Sequence, residues 1–430
     1  MKKINESFLH FLWKNQHLTG VTFHTADKFE LHVIDPGQDH ADSGPDFFNA
    51  KVRIDGTTWA GNVELHINAS DWIKHGHNDN QLYDTVILHV VYFNDCEITR
   101  NDGSIIPTAI LRFPVLLWDK YENLQKNKNW LPCQDHLKNL QDIHFVQWTS
   151  ALMIENLEKR YEIIRKNDME LHSHWDAVLM RSLIRSFGMP VNKAPFEMLS
   201  YVIPYELLLR YKSESFRLEA LLFGQAGFLE LQIPRDKYMQ ELGKEFMCMK
   251  GKLPINKVPV QAWRFMRMRP SSFPTVRISQ LASLIKKSIP IYEKLLSKPT
   301  IKEISRILHA DAGDYWNTHY TFGKPTKSRK KSTGQEFINM LITNSVVPFI
   351  YYFGVKNNKP LQCDHAISLL EELPAENNVI LKNWGKFGIK CSNAFESQAI
   401  LFLYKNYCRE KRCLECQFGN AFILNGTKKE

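Results

Sequence analysis

The period of the apolar residues changes once along this chain, near residue 140, and that change constrains the fold more than any other feature. Before it, hydrophobic side chains come in short alternating runs, and Phe29–Ile34, Ala50–Ile54, Thr58–Ile67 and Val86–Phe93 read as strands. Turn residues separate them: Pro36 and Gly37, Asp55 and Gly56, Asn94 and Asp95. A helical spacing over Ser7–Trp13 precedes the strands. A polar segment over Ser70–Tyr83, long enough for a helix, separates the third from the fourth, and Asp102 with Gly103 turns the chain into an added edge over Ile105–Phe113. After residue 140 the spacing is helical through Val146–Ile164, Trp175–Phe187, Glu206–Phe223, Arg277–Lys287 and Gly334–Phe353, with Glu155 and Lys159 paired at i,i+4. A final helix is capped by Asn393 with Glu396 three residues on, and runs through Tyr407. The fold class that follows is α+β. A small mixed-sheet αβββαβ domain spans 1–118, a mostly helical basic body 119–390, and a C-terminal helix with a cysteine tail 391–430. No fixed-period repeat is visible, which excludes a solenoid.

Composition narrows the function classes. With 430 residues, 44% hydrophobic and 23% charged, the chain can bury two or three cores. The longest apolar runs, Val86–Phe93 and Met340–Phe353, fall short of the ~18–20 residues a membrane helix needs, so no membrane partner is expected. The N-terminus meets Asn5 and Glu6 before any apolar stretch, unlike a secretory signal. Eight cysteines, three of them in the last 25 positions, suit a reducing, cytoplasmic protein with one thiolate metal site. The net charge of +9 is uneven: residues 1–140 carry 13 Lys/Arg against 18 Asp/Glu, a balance of −5, which leaves +14 on the remainder. A metal-using head on a body that attracts polyanions fits this split, and so do plain solvated faces. Ten of the sixteen histidines (His10, His17, His24, His32, His40, His66, His75, His77, His89 and His136) fall in the first third, where clustered imidazoles and carboxylates can hold a metal.

The densest chemistry lies in GPDFFNAKVRIDGTTWAGNVELH, residues 44–66. Asp46 precedes one strand, while Glu64 and His66 sit two apart on the next and share a face. Strand pairing can bring the two carboxylates together around Mg²⁺ or Mn²⁺, which positions a water for attack on a phosphodiester. Beyond it, a helical reading of 70–83 puts His75, Asp79 and Tyr83 on one face, with His77 nearby, as phosphate contacts or a second metal position; a polar helix face is the alternative. His89, inside an apolar strand, reads more simply as a hydrogen-bonded core histidine.

Pro45 and Asp46 followed by Glu64, Leu65 and His66 resemble the PD-(D/E)xK nuclease superfamily, with Glu-x-His in place of Glu-x-Lys. The strand order agrees, and the resemblance implies Asp46, Glu64 and His66 as catalytic positions with Glu6 on the first helix as a further acidic ligand. The segment over 70–83 carries the spacing, though not the glutamine, of a substrate-contacting Gln-x3-Tyr pair found in some of these nucleases. Over nearly the whole chain, the 43–91 segment, RPSSFPTVRISQLASL, LLFGQAGFL and YCREKRCLECQFG also resemble a family of uncharacterised bacterial proteins, which implies no activity.

Two basic stretches follow in the body. Arg264, Arg267, Arg269 and Arg277 alternate with Trp263, Phe265 and Phe273, and Lys324, Lys327, Arg329, Lys330 and Lys331 occupy one Gly- and Ser-flanked loop. Guanidiniums fork onto phosphates and aromatics stack on bases, so nucleic acid is the expected partner; a core turn and a solvated loop are the bland readings. No nucleotide-binding glycine loop occurs. In the tail, Cys408-x4-Cys413-x2-Cys416 has the spacing of three thiolate ligands to zinc or, alternatively, an iron–sulfur cluster. Cys391 is the nearest fourth ligand in sequence, and the family resemblance implies Cys133 instead. Three functions compete: a metal-dependent nuclease, a non-catalytic nucleic-acid-binding or scaffold protein with a degenerate head, and a zinc hydrolase built on His75, His77 and His89.

Overall fold

The computed structural model describes the chain apart from residues 1–3, 16–19, 27–30, 40–42, 101, 140–141, 231–233, 250, 252–255 and 425–430. His17, His40 and the first two residues of the strand expected from Phe29 lie outside the described residues. The chain divides into two compact units. One comprises residues 1–148, 383–389 and 402–430; the other comprises 149–382 and 390–401. The cysteine tail thus belongs to the first unit, not to a separate segment.

The first unit is built on a seven-stranded mixed sheet. Helix α1 (Glu6–Lys14) starts at Asn5, whose side chain accepts from the Phe8 N–H, and buries Phe8, Leu9, Leu12 and Trp13. Strands β1 (Thr22–Thr25), β2 (Leu31–Asp35) and β3 (Gln38–Asp39) lead into β4 (Phe47–Ile54) and β5 (Thr57–Asn68). β2, β4 and β5 form an antiparallel meander, as the turn chemistry of Asp55 and Gly56 requires. Along β5 every residue from Asn62 to His66 is buried, so its polar members Asn62, Glu64 and His66 lie inside on the face opposite Val63 and Leu65. β6 (Val86–Phe93) returns parallel to β5 after a crossover that includes α2 (Asp71–Lys74).

Two expectations need correction. The helix expected over 70–83 is only α2 followed by separate 3₁₀ turns at His77–Asp79 and Gln81–Tyr83. Gly76, at φ +71°, reverses the chain there, and the Asn80 side chain accepts from the Leu82 N–H, so local turn bonds outcompete the helix. The stretch expected as an added edge is β7 (Thr108–Arg112), which runs inside the sheet, parallel to β6, because β1 pairs antiparallel to its other side. β1 is too short to show alternation. Helix α3 (Val115–Lys126) packs Trp118 and Tyr121 on Phe8, with ring centroids 5.1 and 5.4 Å away. On α3 lies the tail: Gln125 Nε2 donates to the Lys411 carbonyl at 2.9 Å, Lys120 Nζ donates to that of Ile423 at 3.4 Å, and the helix Gln417–Leu424 covers it.

The second unit is helical, with Phe187, Phe196, Phe223, Trp316 and Phe349 fully buried. Residues 335–356 form a continuous 22-residue helical run of membrane-spanning length and composition, although 72% of its apolar window is buried inside the protein. In the sequence the apolar run reads as shorter because polar Gln335, Glu336 and Asn339 at one end and Lys356 at the other belong to the same helical stretch.

Candidate metal centre

Asp46 and Glu64 meet at the mouth of the β4–β5 pair. The register sets Phe47 opposite Val63, which brings the residue before β4 beside Glu64, and a bulge between Phe47 and Ala50, with Asn49 at φ +57°, bends the strand there. Each carboxylate is fixed by the other strand's backbone: the Asp46 N–H donates to Glu64 Oε2 at 3.0 Å and the Leu65 N–H donates to Asp46 Oδ2 at 2.9 Å. One oxygen of each side chain is thereby left clear of the backbone. Glu64 is 4% exposed, and burial, reinforced by the charge of Asp46, raises its pKa above the ordinary carboxylate value.

Imidazoles fill the rest of the pocket. His66 shares the Glu64 face of β5, and its Nε2 lies 3.6 Å from Glu64 Oε1 and 3.1 Å from His75 Nδ1. Its Nδ1 lies 2.8 Å from Nε2 of His89, the β6 residue that registers with Glu64. His77 Nε2 reaches Glu64 Oε1 at 3.3 Å, and the His77 ring stacks on Tyr83 at 3.8 Å. Burial, then the neighbouring imidazoles, pushes His66 down to about 3, so the ring is neutral at physiological pH. His89 is likewise held at about 3, chiefly by burial. Trp72 of α2, itself buried, walls the pocket against the rings of His66, His77 and His89.

The first helix supplies two more groups. His10 Nε2 sits 3.3 Å from Asp46 Oδ2; burial opposes its charge, yet the hydrogen bond and charge of Asp46 raise its pKa above the ordinary histidine value. Glu6, one turn earlier, is raised by burial and by Asp46 against the pull of His75. His10 is the site residue that sequence reasoning misses, although the Glu6-x3-His10 spacing puts both on one helix face. His75 is exposed, which opens the pocket to solvent on that side.

Other expected contacts fall elsewhere. Asp79 is exposed and receives a hydrogen bond from Asn78 in its 3₁₀ turn, so it does not share a face with Tyr83, which is buried with its hydroxyl 3.2 Å from the Gly44 carbonyl. His89 lies behind His66 and outside the three-histidine donor set. Lys331 is not a loop charge: it is buried and donates to the carbonyls of Trp316 and Asn317. Lys330 pairs with Asp311 at 2.8 Å, while Lys324, Lys327 and Arg329 are exposed. Arg264, Arg267 and Arg269 are exposed too, but Trp263 is buried with its indole N–H on the Ala226 carbonyl and cannot stack a base; Arg277 caps the Phe337 ring at 3.4 Å.

The cysteines gather in the same unit. Cys133 is pushed up to about 12 by burial and then by Cys416 and Cys413, and Cys408 is raised well above the usual thiol value by burial and then by Cys416, Cys133 and Cys413. Cys133, Cys413 and Cys416 are buried and Cys408 is half-buried, all four in the first unit. Cys416 also receives the N–H groups of Phe418 and Gly419, which favour the thiolate against its burial. Gly419 is required there, because a Cβ would stand 2.2 Å from the Cys413 carbonyl. Cys391 lies in the second unit, raised to about 12 by burial and by Glu396 with no cysteine acting on it.

A family model described as "Protein of unknown function (DUF2851)" matches residues 6–379. No curated protein and no solved structure matches the chain.

Proposed function

The chain belongs to the DUF2851 family of proteins of unknown function, and from its site we propose a metal-dependent nuclease that hydrolyses phosphodiester bonds of nucleic acid. The observation that carries this reading is the reciprocal clasp of Asp46 and Glu64 at the β4–β5 pair, which sets the two carboxylates side by side for a cation. The helix, antiparallel meander and parallel fourth strand around it support a restriction-endonuclease-like head of the PD-(D/E)xK kind. A bound Mg²⁺ or Mn²⁺ supplies charge neutralisation of the scissile phosphate and a more acidic water. The protein's own part is orientation: the Leu65 and Asp46 N–H groups lock the carboxylates, α1 brings Glu6 and His10 to the rim, and exposed His75 marks the open side where a phosphate can approach. Arg264, Arg267, Arg269, Lys327 and Arg329 in the helical unit offer sequence-blind attraction for the polyanion. Buried Cys133, Cys413 and Cys416, with half-buried Cys408, suit zinc, or an iron–sulfur cluster, as a staple between the segment after α3 and the tail.

Cleavage of single- and double-stranded DNA and RNA in Mg²⁺ and Mn²⁺ tests the reading. Glu64→Gln is expected to abolish cleavage while leaving salt-sensitive binding in place. A wild type inert on all four substrates with either ion sinks it. That result leaves the non-catalytic nucleic-acid-binding reading, which is favoured by one observation: a histidine, His66, occupies the position of the superfamily's lysine.

A further inference from the structure

Carboxylate oxygens are ligands for Mg²⁺, yet this pocket holds more nitrogen than oxygen. The donor atoms of His66, His75 and His77 all lie within 4.8 Å of one another. Three segments of chain supply them: β5 gives His66, the end of α2 gives His75 and the turn beyond Gly76 gives His77, while Glu64 Oε1 stands beside His77 and His66 at the edge of the group. The separations that can be compared are 3.1 Å for His66 to His75, 3.3 Å for His77 to Glu64 and 3.6 Å for His66 to Glu64. A tetrahedral ion with bonds of ~2.0–2.1 Å sets its ligands ~3.3–3.4 Å apart, close to each of these three separations.

We infer that His66, His75 and His77, with Glu64 at their edge, form a binding site for a borderline transition-metal ion, of the class of Zn²⁺, Co²⁺ or Fe²⁺, with His89 as the residue that orients His66. Imidazole nitrogen selects such ions over Mg²⁺, which prefers oxygen and keeps its waters. His89 Nε2 stands 2.8 Å from His66 Nδ1, so it can accept that proton and leave the Nε2 lone pair aimed at the other donors. The buried Trp72 holds three of the rings and keeps water from their far side. On this view His66 does not replace the lysine of the nuclease resemblance; it ligates. The site depends on side-chain convergence alone and stands whether or not the head cleaves nucleic acid.

Full-length protein, titrated anaerobically with Co²⁺ and assayed for bound Zn²⁺, gives the test. Any Co²⁺ held by the cysteines is distinguished by sulfur-to-cobalt charge-transfer absorption. The expected result is one further Co²⁺ per chain with visible ligand-field bands and no added charge transfer. His75→Ala and His77→Ala, on the open side of the site, are expected to weaken that ion by 100-fold or more. His89→Phe, which leaves every ligand in place, is expected to weaken it by about 10–100-fold. The circular dichroism and urea midpoint of each variant show that the unit is folded. Unchanged affinity for the second ion in His75→Ala and His77→Ala, or displacement of it by equimolar Mg²⁺, overturns the inference. Cleavage assays run separately on the same proteins decide the nuclease reading, so either idea can fail without the other.

Discussion

In the helical unit, buried Glu219 faces the hydroxyls of Tyr238 and Ser279, and buried Asp168 faces the Tyr352 hydroxyl at 2.5 Å and the ammonium of Lys356. Buried Arg160 is met by Asn156, Gln398 and the Thr343 carbonyl. Each group there has partners of opposite character. In the sheet unit, Glu64 stands beside Asp46, and His66 is wedged between His75 and His89. Like meets like. A buried charge costs free energy unless it is countered. The helical unit meets its carboxylates with hydroxyls and an ammonium, whereas the sheet unit sets two carboxylates together among imidazoles, of which His66 and His89 are held neutral by burial. The contrast sets polar residues that hold a fold together against a cluster that a bound cation would balance.

Stability measurements can break that contrast. The largest expected effect is on the helical unit: Asp168→Ala leaves the Tyr352 hydroxyl and the Lys356 ammonium without their acceptor. A cost of about 2–3 kcal/mol follows for bonds to a charged group, toward the lower end because Lys356 is 34% exposed. Glu64→Gln in metal-free protein is expected to be neutral within about 1 kcal/mol, or stabilising, because it removes a buried charge from beside another carboxylate. Urea unfolding of the two variants compares them directly. Equal losses would show that the two clusters are alike in kind.

A ligand sharpens it next. If the sheet unit is unbalanced only for want of an ion, Zn²⁺ at about 100 times its dissociation constant adds ~2.7 kcal/mol to that unit alone. Hydrogen exchange should show slower opening of β5 and β6 and no change in the helix carrying Glu219. Uniform protection of both units contradicts the assignment.

Sequence reasoning reaches Asp46, Glu64 and His66 because alternation fixes which residues of a strand share a face, and a meander brings neighbouring strands together. It fails where tertiary context overrides periodicity. Thr22–Thr25 is too short to show a period, so nothing announces that β7 has an outer neighbour. The stretch from Ser70 to Tyr83 has helical length but is rich in Gly, Asn and Asp, and its turns move His75 and His77 over β5 while sending Asp79 outward. His89 looks like a lone core histidine until the parallel register sets it diagonal to His66. Lys331 looks like its neighbours, because a run of basic residues does not tell which one folds inward.

That last difference gives a smaller effect within the helical unit. Lys327→Ala with Arg329→Ala should weaken nucleic-acid binding and flatten its salt dependence by about one unit for each phosphate no longer neutralised. Lys331→Ala should leave the salt slope unchanged and lower thermal stability instead, since its ammonium serves two carbonyls. Filter binding across a salt series, with a melt on each variant, separates the two roles. A salt slope that falls with Lys331→Ala as much as with its neighbours returns that residue to the binding surface.

The smallest effect concerns Glu219, whose pKa is raised by burial against the pull of its hydroxyl partners. A carboxyl that holds its proton longer in the folded chain than in the unfolded one makes stability fall as pH rises from the ordinary carboxylate range through the raised value. Below that range both states are protonated and the group contributes no slope. Glu219→Gln removes the titration, so the variant should lose stability less steeply than the wild type as pH rises above the ordinary carboxylate range, by at most one proton, or about 1.4 kcal/mol per pH unit. Because the amide still accepts from Tyr238 or Ser279, the variant should remain folded. Urea midpoints across that range read the difference in slope. Parallel slopes for wild type and variant would mean that Glu219 is ionised in both states, with its two hydroxyls stabilising the charge as water does; the helical unit would then hold a buried anion by complementary donors alone.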